Sequence, residues 1–231
     1  MRYWLVMPAA GAGHRFGAEL PKQYAPLEGR TVIEWALAPF LADARCARIV
    51  VVLAPGDEHW QRLPLRERAL TTTGGRQRSD SVRNGLAALA GQAQPLEWVL
   101  VHDAARPCLE SADLERLLGQ LGAHAVGGLL GARIADTLKR GEGAGPEATV
   151  LATEERAGLW RALTPQMFRY ASLCTALDAA RAAGRTPSDE AQALEWHGER
   201  PRLIEGAPSN LKVTTAADLQ LASAILRSRR G

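Results

Sequence analysis

The sequence predicts an α/β protein, a three-layer, open, mostly parallel twisted sheet from which an antiparallel β-hairpin arm protrudes. Three observations carry this expectation. In the first half of the chain, apolar runs that read as strands alternate with segments of helical periodicity. One run, residues 48–53, is apolar on both faces, as in a strand covered on both sides. Later, a Gly-rich turn at residues 141–146 separates two extended stretches and breaks the rhythm.

The elements follow in order. Tyr3 to Met7 reads as a buried first strand that ends in the small-residue turn after Pro8. Thr31 and Glu34 form a capping-box pattern at the start of a helix. The β-branched run 48–53 stops at Ala54-Pro55-Gly56. Ser79 or Asp80 is expected to cap a helix carrying Val82, Leu86 and Leu89. Residues 97–101 read as a strand followed by a polar loop to Pro107, and Ser111 opens a helix through Leu114, Leu117, Leu118 and Leu121. Residues 127–140 and 148–153 read as the two extended limbs around the turn. A lone hairpin is marginal, so this one is expected to pack on something, either as a flap or as an arm gripping a second subunit. Helices are expected over 171–183 and 189–197, a strand over 202–205, and a last helix from Thr215. The whole chain, 1–231, reads as one domain with 133–156 as the arm inserted in it.

Composition narrows the function classes. Apolar residues make up 46% and charged residues 23%, the balance of a folded globular chain. The net charge of +3 is small and its basic residues are scattered, so nucleic acid is not an expected partner. No apolar stretch is long enough to span a membrane. Arg2 and the apolar run behind it mimic a weak signal peptide, but Pro8, Gly11 and Gly13 interrupt the run early. The three cysteines, Cys46, Cys108 and Cys174, are odd in number and form no C-x-x-C pair. They are expected as small buried residues of a reducing, cytoplasmic protein.

Four motifs could carry chemistry. In Pro8-Ala9-Ala10-Gly11-Ala12-Gly13-His14-Arg15, small residues at a strand end let backbone N–H groups approach a phosphate, and Arg15 and Lys22 add positive charge. The spacing is neither a Walker loop nor G-x-G-x-x-G. That miss, with no acidic residue ending the second strand, argues against a dehydrogenase. Gly74-Gly75 running into a helix start suits a backbone that faces a flat base or ribose. In Val101-His102-Asp103-Ala104-Ala105-Arg106-Pro107, a carboxylate at a strand's carboxyl end is placed for a metal or for substrate hydroxyls. His102 is expected as a packing or hydrogen-bonding residue rather than a base, and Arg106 adds charge or pairs with Asp103. Arg156 and Lys212, each taken alone, read as surface cations.

Taken together, P-A-A-G-x-G-x-R at 8–15, P-K-Q-Y at 21–24, G-G-x-x-R-x-D-S-V at 74–82, V-H-D-A-A-R-P at 101–107, L-W-x-A-L-T-P-Q at 159–166, S-D-E-A at 188–191 and N-L-K-V-T at 210–214 resemble the 2-C-methyl-D-erythritol 4-phosphate cytidylyltransferase family over essentially the whole chain. The resemblance implies a Rossmann-like nucleotidyltransferase domain, a homodimer joined through the arm, CTP as co-substrate and Mg²⁺ or another divalent cation. It implies that Arg15 and Lys22 stabilise the transition state, and that Arg156 and Lys212 position the substrate phosphate. It further implies that Ala10, Gly11, Gly13, Gly75, Ser81 and Asp103 bind CTP, and that Asp103, Arg106, Thr137, Arg156, Ser188 and Lys212 bind the polyol phosphate. Thr137 and Arg156 flank the hairpin and look like residues lent to the neighbouring subunit. Metal ligands are not assigned, the cation being expected on the CTP phosphates and water. Three positions depart from common members: Ser188 replaces a threonine, Arg76 follows the glycine pair where some carry an acid, and Ser209 stands where some carry Asp. Two alternatives are a cytidylyltransferase for another polyol phosphate, such as ribitol 5-phosphate, and a non-catalytic nucleotide sensor. The latter would have little reason to keep Arg15, Lys22, Arg156 and Lys212 together.

The implied chemistry suits this residue set. A phosphate monoester is mostly dianionic at neutral pH, because its second pKa is ~6. A general base therefore has little to add, and none stands out. The barrier is anion against anion. Two unit charges about 4 Å apart repel by roughly 4 kcal/mol at an effective dielectric near 20. The site is expected to be cations plus a backbone nest.

Overall fold

The structure, a computed structural model, describes residues 1–11, 20–143, 145 and 147–229. In chain order the strands and helices are β1 (Tyr3–Pro8), β2 (Pro26–Leu27), β3 (Arg30–Thr31), α1 (Val32–Leu41), β4 (Cys46–Leu53), β5 (Leu70–Thr73), α2 (Arg78–Ala87), β6 (Trp98–Val101), α3 (Ser111–Leu121), β7 (Gly127–Arg133), β8 (Leu138–Glu142), β9 (Thr149–Glu154), β10 (Trp160–Arg169), α4 (Tyr170–Ala182), α5 (Glu190–Trp196), β11 (Arg202–Glu205) and α6 (Ala216–Ser228).

Among the described residues, seven strands form one sheet in the order β11-β7-β10-β6-β1-β4-β5. β1 runs parallel to β4 and β6, β4 to β5, and β7 to β11. β10 is antiparallel to both of its neighbours, β6 and β7. The chain lays β4 and β5 on one side of β1, then returns to place β6 on the other. The β1/β6 junction is therefore a switch point, where ligands of open α/β sheets sit.

Strand alternation sorts the two faces. Leu5, Met7, Ile49, Val51 and Leu100 pack with Ile33, Leu37 and Phe40 of α1 and Leu114 and Leu117 of α3. Their neighbours Val6, Val50, Val52, Val99 and Val101 pack with Val82 and Leu86 of α2, Leu173 of α4 and Leu194 of α5. Each strand thus buries both faces, and the three layers follow. Gly85 permits the closest approach of α2. A Cβ there would lie 2.5 Å from Val6 Cγ1 and 2.9 Å from Val52 Cγ2. A third, smaller cluster joins Ala25 and Leu27 to Val213 and to Ala222 and Leu226 of α6.

Several expectations meet the structure directly. The Thr31 cap is a capping box, with Glu34 Oε2 accepting from the Thr31 N–H at 2.7 Å. The α2 cap is displaced from the expected Ser79 or Asp80. Gln77 is the N-cap, and Asp80, three residues into the helix, accepts from the Gln77 N–H at 3.2 Å. The acid reaches back instead of capping forward. The stretch 127–140 is not one limb. Gly127–Arg133 belongs to the central sheet, and the hairpin strand begins at Leu138. β8 and β9 form a separate antiparallel ribbon whose Val150 and Leu151 are exposed. The three cysteines are free thiols, but only Cys108 is buried as expected, Cys46 and Cys174 being half-buried. Among the described residues, no helix is long and apolar enough to cross a membrane.

Candidate active site

A cavity of about 210 Å³ opens at the carboxyl ends of β1 and β6, where the sheet order switches. Its wall draws on five segments that are remote in sequence. Ala10 and Gly11 come from the end of β1. Lys22 comes from a short 3-10 turn, Lys22–Tyr24. Gly75 and Ser81 come from the loop and first turn of α2, Asp103 from the end of β6, and Lys212 from the segment before α6. Of the expected residues, Ala10, Gly11, Lys22, Gly75, Ser81, Asp103 and Lys212 therefore meet in one place. Arg15 and Gly13 lie outside the described residues.

Local packing explains each placement. The Lys22 turn is pinned from both sides. Gln23, buried beside it, donates from Nε2 to the Ala9 carbonyl at 2.7 Å, and Tyr24 donates its hydroxyl to Asp57 at 2.8 Å. The glycine pair has no room for side chains. A Cβ on Gly74 would strike Ala10 and come within 2.9 Å of Ser81 Oγ, and one on Gly75 would strike Asp80. Ser81 braces the same loop, accepting from the Gly75 N–H at 3.1 Å and donating to the Gln77 carbonyl at 3.1 Å.

Asp103 is the electrostatic centre. Burial alone would raise its carboxyl pKa, but the positive charges of Arg78, Lys212 and Arg106 outweigh that and hold it far below the usual range. Arg78 donates to Oδ1 from Nε at 3.0 Å and from Nη2 at 2.9 Å. Lys212 Nζ donates to Oδ2 at 2.8 Å. The Asp103 backbone N–H is held by Thr164 Oγ1 at 3.1 Å.

His102 lies beneath, fully buried. Thr164 Oγ1 is 2.9 Å from its Nδ1, and the Arg106 carbonyl is 3.2 Å from its Nε2. A carbonyl only accepts, so Nε2 carries the proton and Nδ1 accepts from the threonine. Burial pushes the imidazole pKa down to about 4, which agrees with the neutral form. This is the hydrogen-bonding role expected from sequence.

Four expected substrate residues stand off this wall. Arg106 is buried behind it, donating to the carbonyls of Asn210 at 2.7 Å and Ala162 at 3.3 Å, so it secures the segment that carries Lys212. Arg106 also approaches Asp103, its Nε 3.7 Å from Oδ2, the pairing that the sequence offered as its second reading. Thr137 and Arg156 are exposed at the base of the hairpin, where Arg156 Nη1 donates to the Ala135 carbonyl. Ser188 is exposed just ahead of α5, its N–H donating to Gln192 Oε1 at 2.8 Å.

Arg78 and Glu190 were not singled out from sequence. Glu190 is buried and accepts from Arg78 Nη1 at 2.6 Å. Both stand inside the motif strings, at the fifth residue of G-G-x-x-R and the third of S-D-E-A, which was the available signal. Asn210 is a third, fully buried with its Nδ2 donating to the Thr164 carbonyl at 2.7 Å. Among the described residues, no group of three or more His, Cys, Asp or Glu is placed to hold a metal ion.

A cation-rich, Gly-floored cleft at the switch point of an open α/β sheet defines a protein of the nucleotidyltransferase type. The family model for IspD, 2-C-methyl-D-erythritol 4-phosphate cytidylyltransferase, matches residues 3–228, and the chain belongs to that family. It is 50% identical to the 2-C-methyl-D-erythritol 4-phosphate cytidylyltransferase of Halorhodospira halophila, over 99% of this chain and 96% of that protein. It is 49% identical to the protein of the same name from Dechloromonas aromatica, over 99% of both. Among solved structures, a 4-diphosphocytidyl-2C-methyl-D-erythritol synthase superposes with a TM-score of 0.82 at 37% identity, covering 97% of this chain and 98% of the other. The 2-C-methyl-D-erythritol 4-phosphate cytidylyltransferase from Thermus thermophilus gives 0.79 at 33% identity, with 98% and 100% covered.

Proposed function

We propose that the chain catalyses transfer of the cytidylyl group of CTP to the phosphate of 2-C-methyl-D-erythritol 4-phosphate, forming 4-diphosphocytidyl-2-C-methyl-D-erythritol and pyrophosphate in isoprenoid precursor biosynthesis. The observation that carries this reading, in a chain of this family, is the convergence of Lys22, Lys212 and Asp103 on the glycine pair in one cleft. A phosphate oxygen of the polyol attacks the α-phosphorus, a new P–O bond forms, and the bond to the bridging oxygen breaks. Pyrophosphate departs with the electron pair.

The protein's task is electrostatic. Lys22 and Arg15 neutralise the charge that builds on the α-phosphate. Lys212 and Arg156 hold the attacking phosphate, Arg156 reaching the site of a second subunit from the arm. Ala10, Gly11, Gly13, Gly75 and Ser81 form the cytidine floor, where the small residues let base and ribose approach the backbone. Asp103, Arg106 and Ser188 complete the pocket for the polyol phosphate, Arg106 from behind through the loop it ties, and Thr137 reaches the second subunit's pocket from the arm beside Arg156.

A divalent cation such as Mg²⁺ suits the donor set, because Mg²⁺ binds through substrate phosphates, water and one or two carboxylates rather than an all-protein cage. Asp103 is the carboxylate at hand in the cleft, and the ion would supply further neutralisation of the triphosphate.

The chain works as a cytoplasmic homodimer, with 133–156 as the dimerisation arm. What supports the arm's role is its exposed large apolar residues Val150 and Leu151, on a ribbon with no sheet partner of its own among the described residues.

The direct test is to incubate the protein with CTP, Mg²⁺ and a panel of polyol phosphates and to identify the nucleotide product. Formation of the methylerythritol conjugate with stoichiometric pyrophosphate is expected. Turnover of a different polyol phosphate in its place would overturn the assignment.

A further inference from the structure

We infer that Glu190 is a positioning residue for the transfer reaction, which aims Arg78 and through it holds Asp103 turned toward the cleft. The inference rests on the reading of the site given above and deepens it.

Glu190 is 1% exposed and does not line the cavity. Both of its carboxylate oxygens are engaged by one guanidinium. Oε1 accepts from Arg78 Nη1 at 2.6 Å and Oε2 from Nη2 at 3.2 Å. The other edge of the same guanidinium, Nε and Nη2, grips Asp103 Oδ1. Arg78 is therefore a planar bridge between two carboxylates, a role that the fork geometry of Arg permits and the point charge of Lys does not.

The geometry has a direction. With Oδ1 taken on one side by Arg78, Asp103 presents Oδ2 to Lys212 and to the cavity. The bridge joins three elements at their site-facing ends: the first residue of α5, the first residue of α2 and the residues just after β6. A buried ion pair is a weak means of stabilising a fold, because desolvation offsets the attraction. What this one does supply is orientation. Without the Glu190 charge, Arg78 keeps only Asp103 as an anionic partner, and the bridge that turns Oδ2 to the cavity loses its second anchor.

The test is a double-variant cycle. Wild-type turnover of CTP and the polyol phosphate is measured first, and its absence would refute the functional reading rather than this inference. Glu190→Gln keeps the shape and removes the charge. It is expected to lower kcat/KM by about 10- to 100-fold, the penalty of a modest misplacement in a pre-organised site, while thermal melting shows a folded protein. Asp103→Asn is then combined with it. If Glu190 acts through Asp103, the double variant is no slower than Asp103→Asn alone. Independent, multiplying losses would overturn the inference, as would a Glu190→Gln protein with wild-type kinetics. Should Glu190→Gln fail to fold, Arg78→Lys enters the same cycle. It keeps the charge but cannot bridge both carboxylates, and it must show the same non-additivity with Asp103→Asn.

Discussion

Lys212 Nζ and Asp103 Oδ2 lie 2.8 Å apart, joining the segment before the last helix to the end of a central strand. Lys212 helps to hold the Asp103 carboxyl low, so its removal lets that pKa rise. Lys212→Ala is expected to cut kcat/KM by about 100-fold or more, the scale seen when one charge-stabilising donor is lost. Wild-type kinetics in Lys212→Ala would remove its assignment.

Lys22 and Arg156 should separate kinetically. Lys22 lines the cleft and Arg156 stands at the hairpin base. Lys22→Ala should lower kcat by about 100-fold or more while CTP still binds weakly. Arg156→Ala should act chiefly on KM for the polyol phosphate. Steady-state kinetics with each substrate varied in turn distinguishes them, and wild-type constants in Lys22→Ala would remove its assignment.

His102 makes acid stability pH-dependent. Its folded pKa is pushed down to about 4 by burial, against an ordinary value of 6.5. As pH falls below 6.5 the unfolded chain takes up the proton first. The contribution is thus complete above that pH and is lost on the way down to about 4, to a total of order 3 kcal/mol. In His102→Gln the decline of Tm across this window should be shallower than in the wild type. An unchanged slope would show that another group governs it.

Close packing makes two glycines sensitive. Gly85→Ala pushes a methyl group into Val6 and Val52, and Gly74→Ala pushes one into Ala10 and toward Ser81. Each should lose about 1–3 kcal/mol of stability, the usual penalty of overpacking. Denaturant melts will show both losses. Only Gly74→Ala should also weaken CTP binding, because Gly85 lies under the sheet and not at the cleft.

The arm makes a solution prediction. Replacing exposed Val150 and Leu151 together by Ser removes apolar area without touching the central core. Sedimentation should shift from dimer toward monomer, and a lower rate should accompany the shift. An active monomeric wild type would exclude a site shared between subunits.

Much of the fold was legible because its signals are local. The capping box at Thr31, the β-branched run of β4 and the Gly-rich hairpin turn each declare themselves within a few residues. β10 did not. Pro165 and Gln166 interrupt its apolar pattern, and its buried state depends on two antiparallel neighbours that sequence spacing does not reveal. β5 gives no such signal, because three threonines at a sheet edge carry no apolar run. Within the site, Lys22, Asp103 and Lys212 stand in specific strings. The Arg78–Glu190 bridge escaped notice because the two residues are far apart in the chain and look like ordinary surface charges until folding buries one of them.

The small cluster around α6 couples the two ends of the chain mechanically. Ala25 and Leu27, just past Lys22, share it with Val213, just past Lys212. The two lysine-bearing segments are therefore braced against each other by this cluster and not by the large sheet alone. Cutting back the buried Leu226 therefore reaches further than the helix that carries it: the cavity it leaves lies in the same cluster that braces both lysine-bearing segments.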